Sequence, residues 1–330
     1  MNRKHVAEKA GVSVATVSRA LNATGYVSNE KREIIFRVVN ELNYQPNPIA
    51  ISLKRNKSHQ LLFCVRELSN CYYIEMYKGM CNYANRSGYM VIISNDFDHE
   101  QISSLMVDGI IMQPLPGCDL TYMEKLRFPI VVASYGEMLS NKVSYVNLDV
   151  ATAIEIAVAY LRSMGHTKIA YAAASRTDVP GDNRHITYLE LLSPVLRTEL
   201  NRYILGPCIN DEYNVEVNYF EKGVFAATQF IERNLDATAI VAFNDDTAMG
   251  IVSYFHSSGK RVPDDVSVIG IDDHFASKYF CPPLTTVSIS PYAHGMECAR
   301  VLIELLEGKT VTEPIPIEIK LVERESVKRI

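Results

Sequence analysis

The rhythm of hydrophobic positions changes near residue 60. Before it, apolar residues recur on one side of short helical stretches; after it, compact apolar runs alternate with longer amphipathic segments. The first helical pattern starts after Asn2, a good N-cap, carries Val6, Ala7 and Ala10 on one face, and breaks at Gly11, which permits a tight turn. Ser13 then stands where its hydroxyl can accept from the first backbone N–H groups of a second helix, whose inward face holds Val17 and Leu21. Ser28 opens a third, with a buried stripe of Ile35, Val38, Val39 and Leu42. Beyond residue 60 the strand candidates are Leu61–Val65, Met90–Ser94, Gly109–Met112, Ile130–Ala133, Ile169–Ala172, Ala239–Phe243 and Val266–Ile271. Most lack period-two alternation, as strands covered on both faces do. The pattern predicts an α/β chain: a small all-α head followed by parallel sheets with helices on both faces.

Two short helices around a Gly-Val-Ser turn form the shape of a DNA-reading head. The outward face of the second helix is Val14, Ala15, Ser18, Arg19 and Asn22. An arginine there can pair with two acceptors on guanine, while Thr16, Ser18 and Asn22 suit phosphate contacts. Tyr26, just past the helix, joins Ser13, Val14, Ala15, Thr16, Ser18, Arg19 and Asn22 as a DNA-contact candidate. The plain alternative is a helical hairpin with a solvated Arg19.

Charge separates the two parts as periodicity does. Residues 1–58 contain ten Lys/Arg and four Glu, a balance of +6, so the whole-chain charge of −5 leaves −11 on the remaining 272 residues. A basic head on an acidic body confines phosphate attraction to one end. At 330 residues and 48% hydrophobic content, the chain can bury a small head and two larger lobes. Nothing in it reads as a signal peptide or as an apolar run long enough to cross a bilayer. The seven cysteines (64, 71, 81, 118, 208, 281, 298) are scattered, with no C-x-x-C pair, and read as reduced thiols of a cytoplasmic protein.

In open parallel sheets ligands bind beyond the carboxyl ends of the strands. Those ends carry Arg66, Glu67, Asn70, Cys71, Tyr72 and Tyr73 after the first run, Asn244 and Asp245 after the sixth, and Asp272 and Asp273 after the seventh. Arg184 and His185 fall in what reads as a polar loop before Tyr188–Leu192. Carboxylates, carboxamides and a guanidinium each grip neighbouring hydroxyls with two hydrogen bonds, and an aromatic ring covers a sugar's C–H face, so the set suits a polyol. Taken singly, Asn244 and Asp272 also read as helix caps, the tyrosines as core and Arg184 as a surface charge. No enzyme pattern competes: there is no G-x-S-x-G elbow, no H-E-x-x-H pair and no phosphate-cradling glycine loop. His99, His166 and His185 have no metal spacing, so neither metal nor cofactor is expected.

The stretch VAEKAGVSVATVSRALN, Val6 to Asn22, resembles the LacI/GalR family of bacterial transcription regulators, whose pattern runs close to DVA-x-x-AGVS-x-x-TVSR-x-LN. The likeness continues through Asn43-Tyr44-Gln45-Pro46-Asn47, through Val241 to Asp273, which is similar to the family's A-N-D-x-x-A-x-G…V-P-x-D-v-S-v-I-G-x-D-D block, and through Leu321 to Ser326. The resemblance implies a helix-turn-helix DNA-binding domain with hinge helix over 1–58 and a two-lobed, periplasmic-binding-protein-like body. One lobe would comprise 59–162 plus about 289–318, the other 163–288 plus about 319–330. It further implies a hinge helix over Ile49 to Leu53, with Leu53 as a minor-groove wedge that kinks operator DNA at a cost of about a few kcal/mol. By motif, Arg184, Asn244 and Asp272 match effector-contacting positions, and Tyr72 or Tyr73, with Tyr292, match aromatic positions lining the cleft.

A homodimer that reads an inverted-repeat operator and responds to a small sugar or sugar derivative is what the resemblance implies. Left open beside it are a catabolite-control type of regulator with a phosphoprotein corepressor, a sugar-binding or transport protein without DNA function and, last, a sugar-processing enzyme. Departures from the family pattern are Arg3 and His5 in the first helix, Ile51 in the hinge, Arg66-Glu67 for the usual Pro-Asp, Ser290 for a frequent Gln, and about ten residues fewer between Asp96 and Asp108.

Overall fold

The computed structural model describes residues 2–22, 24–45, 57–65, 68, 70–95, 98–113, 125–134, 143–174, 183–207, 218–311 and 313–330. The chain divides into two compact units, 1–58 and 59–330.

The first unit is three helices: α1 (Arg3–Lys9), α2 (Val14–Asn22) and α3 (Asn29–Glu41). Asn2 caps α1, its side-chain oxygen accepting from the N–H of Lys4 at 3.0 Å and of His5 at 3.2 Å. Gly11 takes the turn at φ +63°, a backbone conformation that glycine, having no Cβ, adopts without strain. Val6, Ala7, Ala10, Val17, Ala20, Ile35 and Val38 close a small core together with Val27 and Tyr44. Leu21, expected inward, is only partly buried at its edge, and Ala20 fills the interior instead. Ser28 stands at the N-cap of α3 as expected, but its side chain makes no capping bond. Asn43 ends α3 in the left-handed region at φ +46°, where asparagine is better tolerated than other side chains. Pro46, Asn47 and the whole hinge stretch Ile49 to Leu53 lie outside the described residues.

The second unit holds two sheets. Strands β1 (Gln60–Cys64), β2 (Met90–Ser94), β3 (Gly109–Met112), β4 (Ile130–Ser134) and β5 (Ser144–Asn147) form a parallel sheet in the order β2-β1-β3-β4-β5. Strands β6 (Ile169–Ala172), β7 (Ile204–Leu205), β8 (Ala239–Ala242), β9 (Ser267–Asp272), β10 (Thr285–Ser288) and β11 (Lys320–Val322) follow the order β11-β10-β9-β8-β6-β7. This sheet is parallel except for β11, which runs antiparallel on β10. The seven strands expected from apolar runs are all present. β5, β7, β10 and β11 were not expected, being short or rich in hydroxyl residues; Thr285 and Thr286 of β10 are nevertheless fully buried. β2, at an edge, is the exception to two-sided cover: Met90 is 61% exposed.

Helices α4 (Cys71–Arg86), α5 (His99–Ser104), α6 (Val150–Ser163), α7 (Arg184–Leu196), α8 (Tyr219–Glu232), α9 (Asp245–Ser257) and α10 (Pro291–Leu306) supply the crossovers and the cover. α5 has only six residues, in keeping with the short spacing between Asp96 and Asp108. Helix α10 follows β10 of the second sheet yet packs on α4 and on β3, β4 and β5 of the first. Conversely α6 packs against α7, β8, β10 and β11, so it goes with the second sheet and not with the first, where a division at residue 162 would put it. Among the described residues, each sheet also has a helix pair in backbone contact. A Cβ on Gly79 or Gly295 would meet a carbonyl of the opposite helix of the α4–α10 pair at 2.0 Å, and Gly223 and Gly250 hold α8 against α9 in the same way.

Candidate functional site

In the first unit, α2 presents the candidate reading face. Ser13 caps it: its hydroxyl oxygen accepts from the Thr16 N–H at 3.1 Å and pairs with the Thr16 hydroxyl at 2.8 Å. This fixes the entry of the helix and leaves Val14, Ala15 and Arg19 exposed. Ser18 and Asn22, expected to point at phosphates, bond to one another at 3.2 Å. Tyr26 is 88% exposed, and Gly25 leaves room beside it for the Arg19 stem, which a Cβ there would meet at 3.6 Å. An exposed aromatic and an exposed guanidinium at the end of one helix can address base edges and backbone together. Leu53 lies outside the described residues.

In the second unit the carboxyl edge of the second sheet gathers three expected residues. Asn244, the last residue before α9, is 2% exposed; its side-chain oxygen accepts from the Thr247 N–H at 2.9 Å and hydroxyl at 2.8 Å. The cap thus occupies the oxygen and leaves the amide NH2 as what Asn244 can offer a ligand. Asp272 ends β9 at φ +119° and is 8% exposed. Arg184 is not in a loop: it is the first residue of α7 and is buried. Its Nη1 donates to the Phe243 carbonyl at 3.0 Å, and its guanidinium carbon sits 3.8 Å from the centre of the Phe243 ring. Asp273, adjacent to Asp272, is engaged elsewhere, accepting from Arg324 at 2.6 Å.

The turn carrying Asp272 is anchored by Asp245, expected at the strand end as a possible ligand group and found instead as a buried anchor. Asp245 is fully buried and accepts from the His274 N–H at 2.7 Å, the Ser277 hydroxyl at 2.5 Å and the Thr286 hydroxyl at 2.6 Å. Burial pushes its carboxyl up to about 7, against those three donors. One carboxylate therefore ties α9, β10 and the turn after β9 together.

The first sheet contributes Tyr72 and Tyr73 from the start of α4. Tyr72 is buried, and its hydroxyl donates to His294 Nδ1 at 2.7 Å, because the other ring nitrogen donates to the Val146 carbonyl at 3.0 Å. Burial, reinforced by the Asp272 carboxylate, holds the phenol well above its usual range, while Arg184 acts the other way. Residues of the two sheets are therefore in electrostatic reach of one another. Tyr73 is half-buried and meets Tyr72 edge-on at 5.4 Å. Tyr292, in the first turn of α10, is 37% exposed. Arg66 and Glu67 lie outside the described residues, among which no group of His, Cys, Asp or Glu could hold a metal ion.

Comparison with known proteins places this arrangement. Residues 4–47 match the bacterial regulatory proteins of the lacI family, and residues 158–327 match the periplasmic binding protein-like domain. The HTH-type transcriptional repressor PurR of Vibrio atlanticus (strain LGP32) is 31% identical over 345 residues, covering 99% of this chain and 98% of the relative. The chain belongs to the lacI family of bacterial regulatory proteins.

Within the lacI family, the ribose operon repressor of Halalkalibacterium halodurans is 27% identical over 98% of this chain and 96% of its own length. A complex of the transcriptional regulator CelR with cellobiose superposes with a TM-score of 0.67 at 26% identity, covering 99% of each chain. The Lac repressor bound to ONPG in its repressed state shares the fold, with a TM-score of 0.82 at 23% identity and the same coverage. Both of the named curated relatives are repressors. No helix among the described residues is long and apolar enough to cross a membrane.

Two residues that shape the site escaped the reading of the sequence as functional: Phe243 at this edge and His294 on α10, while Asp245 was expected at the strand end as a ligand group and serves as an anchor instead.

Proposed function

We infer that the chain is a transcriptional repressor whose operator affinity is set by a small sugar or sugar derivative held between the carboxyl edges of the two sheets. The observation that carries this reading is the convergence of Arg184, Asn244 and Asp272 on one edge, with Tyr72 of the other sheet in electrostatic reach of Asp272 and Arg184. Donors and acceptors of that kind grip vicinal hydroxyls, and Tyr73 and Tyr292 supply ring faces for a sugar's C–H side. The cellobiose found in one related regulator and the ribose operon named for another support a carbohydrate.

On the DNA side, α2 enters a major groove with Arg19 on base edges, and Leu53 wedges into the minor groove between the half-sites of an inverted repeat bound by a homodimer in the cytoplasm. Ligand closing the two lobes favours one arrangement over the other; to turn a mostly bound population into a mostly free one it must discriminate by roughly 5 kcal/mol.

The test is fluorescence anisotropy of labelled DNA from upstream of the protein's own gene, at fixed salt, with and without D-ribose, D-glucose, cellobiose and their phosphates. Tight binding that one compound abolishes or strengthens establishes the reading. Tight binding indifferent to all of them, but altered by a phosphorylated carrier protein, replaces the sugar with a protein corepressor.

A further inference from the structure

At the carboxyl edge of the second sheet the ends of three elements meet in one stack. Phe243 follows β8, its N–H donating to the Ala172 carbonyl at 2.9 Å at the end of β6. Its ring lies parallel to that of Tyr219, the first residue of α8, with centroids 5.4 Å apart and 7° between planes. The Arg184 guanidinium, from the first residue of α7, lies against the Phe243 ring at 3.8 Å and donates to the Phe243 carbonyl. Lys222 sits 4.9 Å from the Tyr219 ring. One phenylalanine thus offers Arg184 two constraints at once: a ring face that sets the plane of the guanidinium and a carbonyl that sets its rotation.

Arg184 needs such constraints. It is 6% exposed, and it opens a helix, the end at which the backbone dipole opposes a cation. Asn183 before it makes no side-chain cap that would offset the exposed N–H groups. A guanidinium in that position keeps a single orientation only if its surroundings impose one. An alanine at 243 would have the carbonyl but no ring.

We propose that Phe243 is a positioning residue which, stacked on Tyr219, presets Arg184 as a single-orientation ligand contact and so helps determine which effector this chain accepts. The inference rests on the reading of this edge as the effector site. The ligand it fits is a small polyol that brings two adjacent acceptor oxygens to a guanidinium already fixed in plane, so that binding loses little side-chain freedom.

The test compares Phe243→Leu, which keeps much of the volume without a ring face, with Phe243→Tyr, which keeps the face. The first readout needs no ligand: nitrogen-15 spectra of the arginine Nε–H groups in the full chain, with the Arg184 signal assigned by its loss in Arg184→Lys. The expected result is a ring-shifted, slowly exchanging Arg184 signal in the parent and in Phe243→Tyr, which loses its ring shift in Phe243→Leu although the bond to the backbone carbonyl of residue 243 stays. A signal unchanged in Phe243→Leu overturns the proposal, as does one already at the bulk position in the parent. The second readout is calorimetric titration with D-ribose, D-glucose and cellobiose. For any of these that binds the parent, Phe243→Leu should weaken it about tenfold, the size of a partly desolvated cation–ring contact, and Phe243→Tyr should restore it. Equal weakening by both variants reduces Phe243 to packing and overturns the positioning role. If none of the three binds the parent, the carbohydrate reading fails for them, while the Arg184 signal still decides the proposal.

Discussion

Replacing His294 by Asn should make the body less stable at neutral pH and, in comparison, more tolerant of acid. The imidazole is fully buried between Tyr72 and Val146, accepting at Nδ1 and donating at Nε2. Asn places its side-chain oxygen close to where Nδ1 stood, keeping an acceptor for the Tyr72 hydroxyl but stranding the Val146 carbonyl. A buried acceptor left unpaired costs about 1–3 kcal/mol, which is the loss expected at pH 7.5. Burial also pushes the imidazole down to about 4 from its ordinary 6.5. Above that ordinary value both folded and unfolded chains carry a neutral His294, and its contribution is intact. As pH falls toward about 4 the unfolded chain takes up a proton that the folded one refuses, so stability is lost progressively over that window, by about 3 kcal/mol in all. The Asn variant has no such loss. Its deficit should therefore shrink between pH 6.5 and 4 and close or reverse near the lower end.

Asp245 acts in the opposite direction, since a carboxyl raised to about 7 destabilises the fold as pH rises through the window from 3.8. That term is common to both proteins and cancels in the difference. Urea unfolding followed by circular dichroism at pH 7.5, 6, 5 and 4 reads the effect. A difference that stays constant across these pH values would refute the buried, neutral imidazole, and equal stability at pH 7.5 would refute the bond to Val146.

Other substitutions separate the parts of the molecule. Leu53→Ala should weaken binding to operator DNA far more than to random DNA in anisotropy titrations; equal loss on both removes the wedge role. Asp272→Ala should abolish the ligand response and leave operator affinity in place, so an undiminished response takes Asp272 out of the site. Asp245→Ala deprives two buried hydroxyls and the part-buried His274 N–H of one acceptor and should cost about 3 kcal/mol by denaturant unfolding; a loss under 1 kcal/mol would mean that the turn after β9 holds without it. Gly79→Ala drives a Cβ to 2.0 Å from the Tyr292 carbonyl, so α4 and α10 must separate, at about 1–3 kcal/mol; a neutral result in the same assay would show that the pair is not tightly packed.

Local chemistry carried most of what was legible beforehand. The caps at Asn2 and Ser13, the turn at Gly11 and the seven apolar strands each depend on neighbours within a few residues, and all appear where the pattern put them. Errors fell where burial is decided by distant partners. Thr285 and Thr286 look like surface residues until Asp245 and the Arg324 N–H arrive to pair their hydroxyls. Tyr72 is ambiguous between site and core, and the structure gives its hydroxyl to His294, 222 positions away.

By itself, then, the sequence determined the helical head, the α/β body, the basic end on an acidic remainder and the residues at the strand ends, because these follow from periodicity, composition and the rule that parallel strands end at a site. Tertiary structure alone decided which of those residues hold one another. The stacking of Phe243 on Tyr219 and Arg184, the three donors on Asp245 and the return of α10 to the first sheet join segments far apart in the chain. Hydrogen bonds and ring contacts act over a few ångströms of space, and no spacing along the chain records which distant segments will come that close.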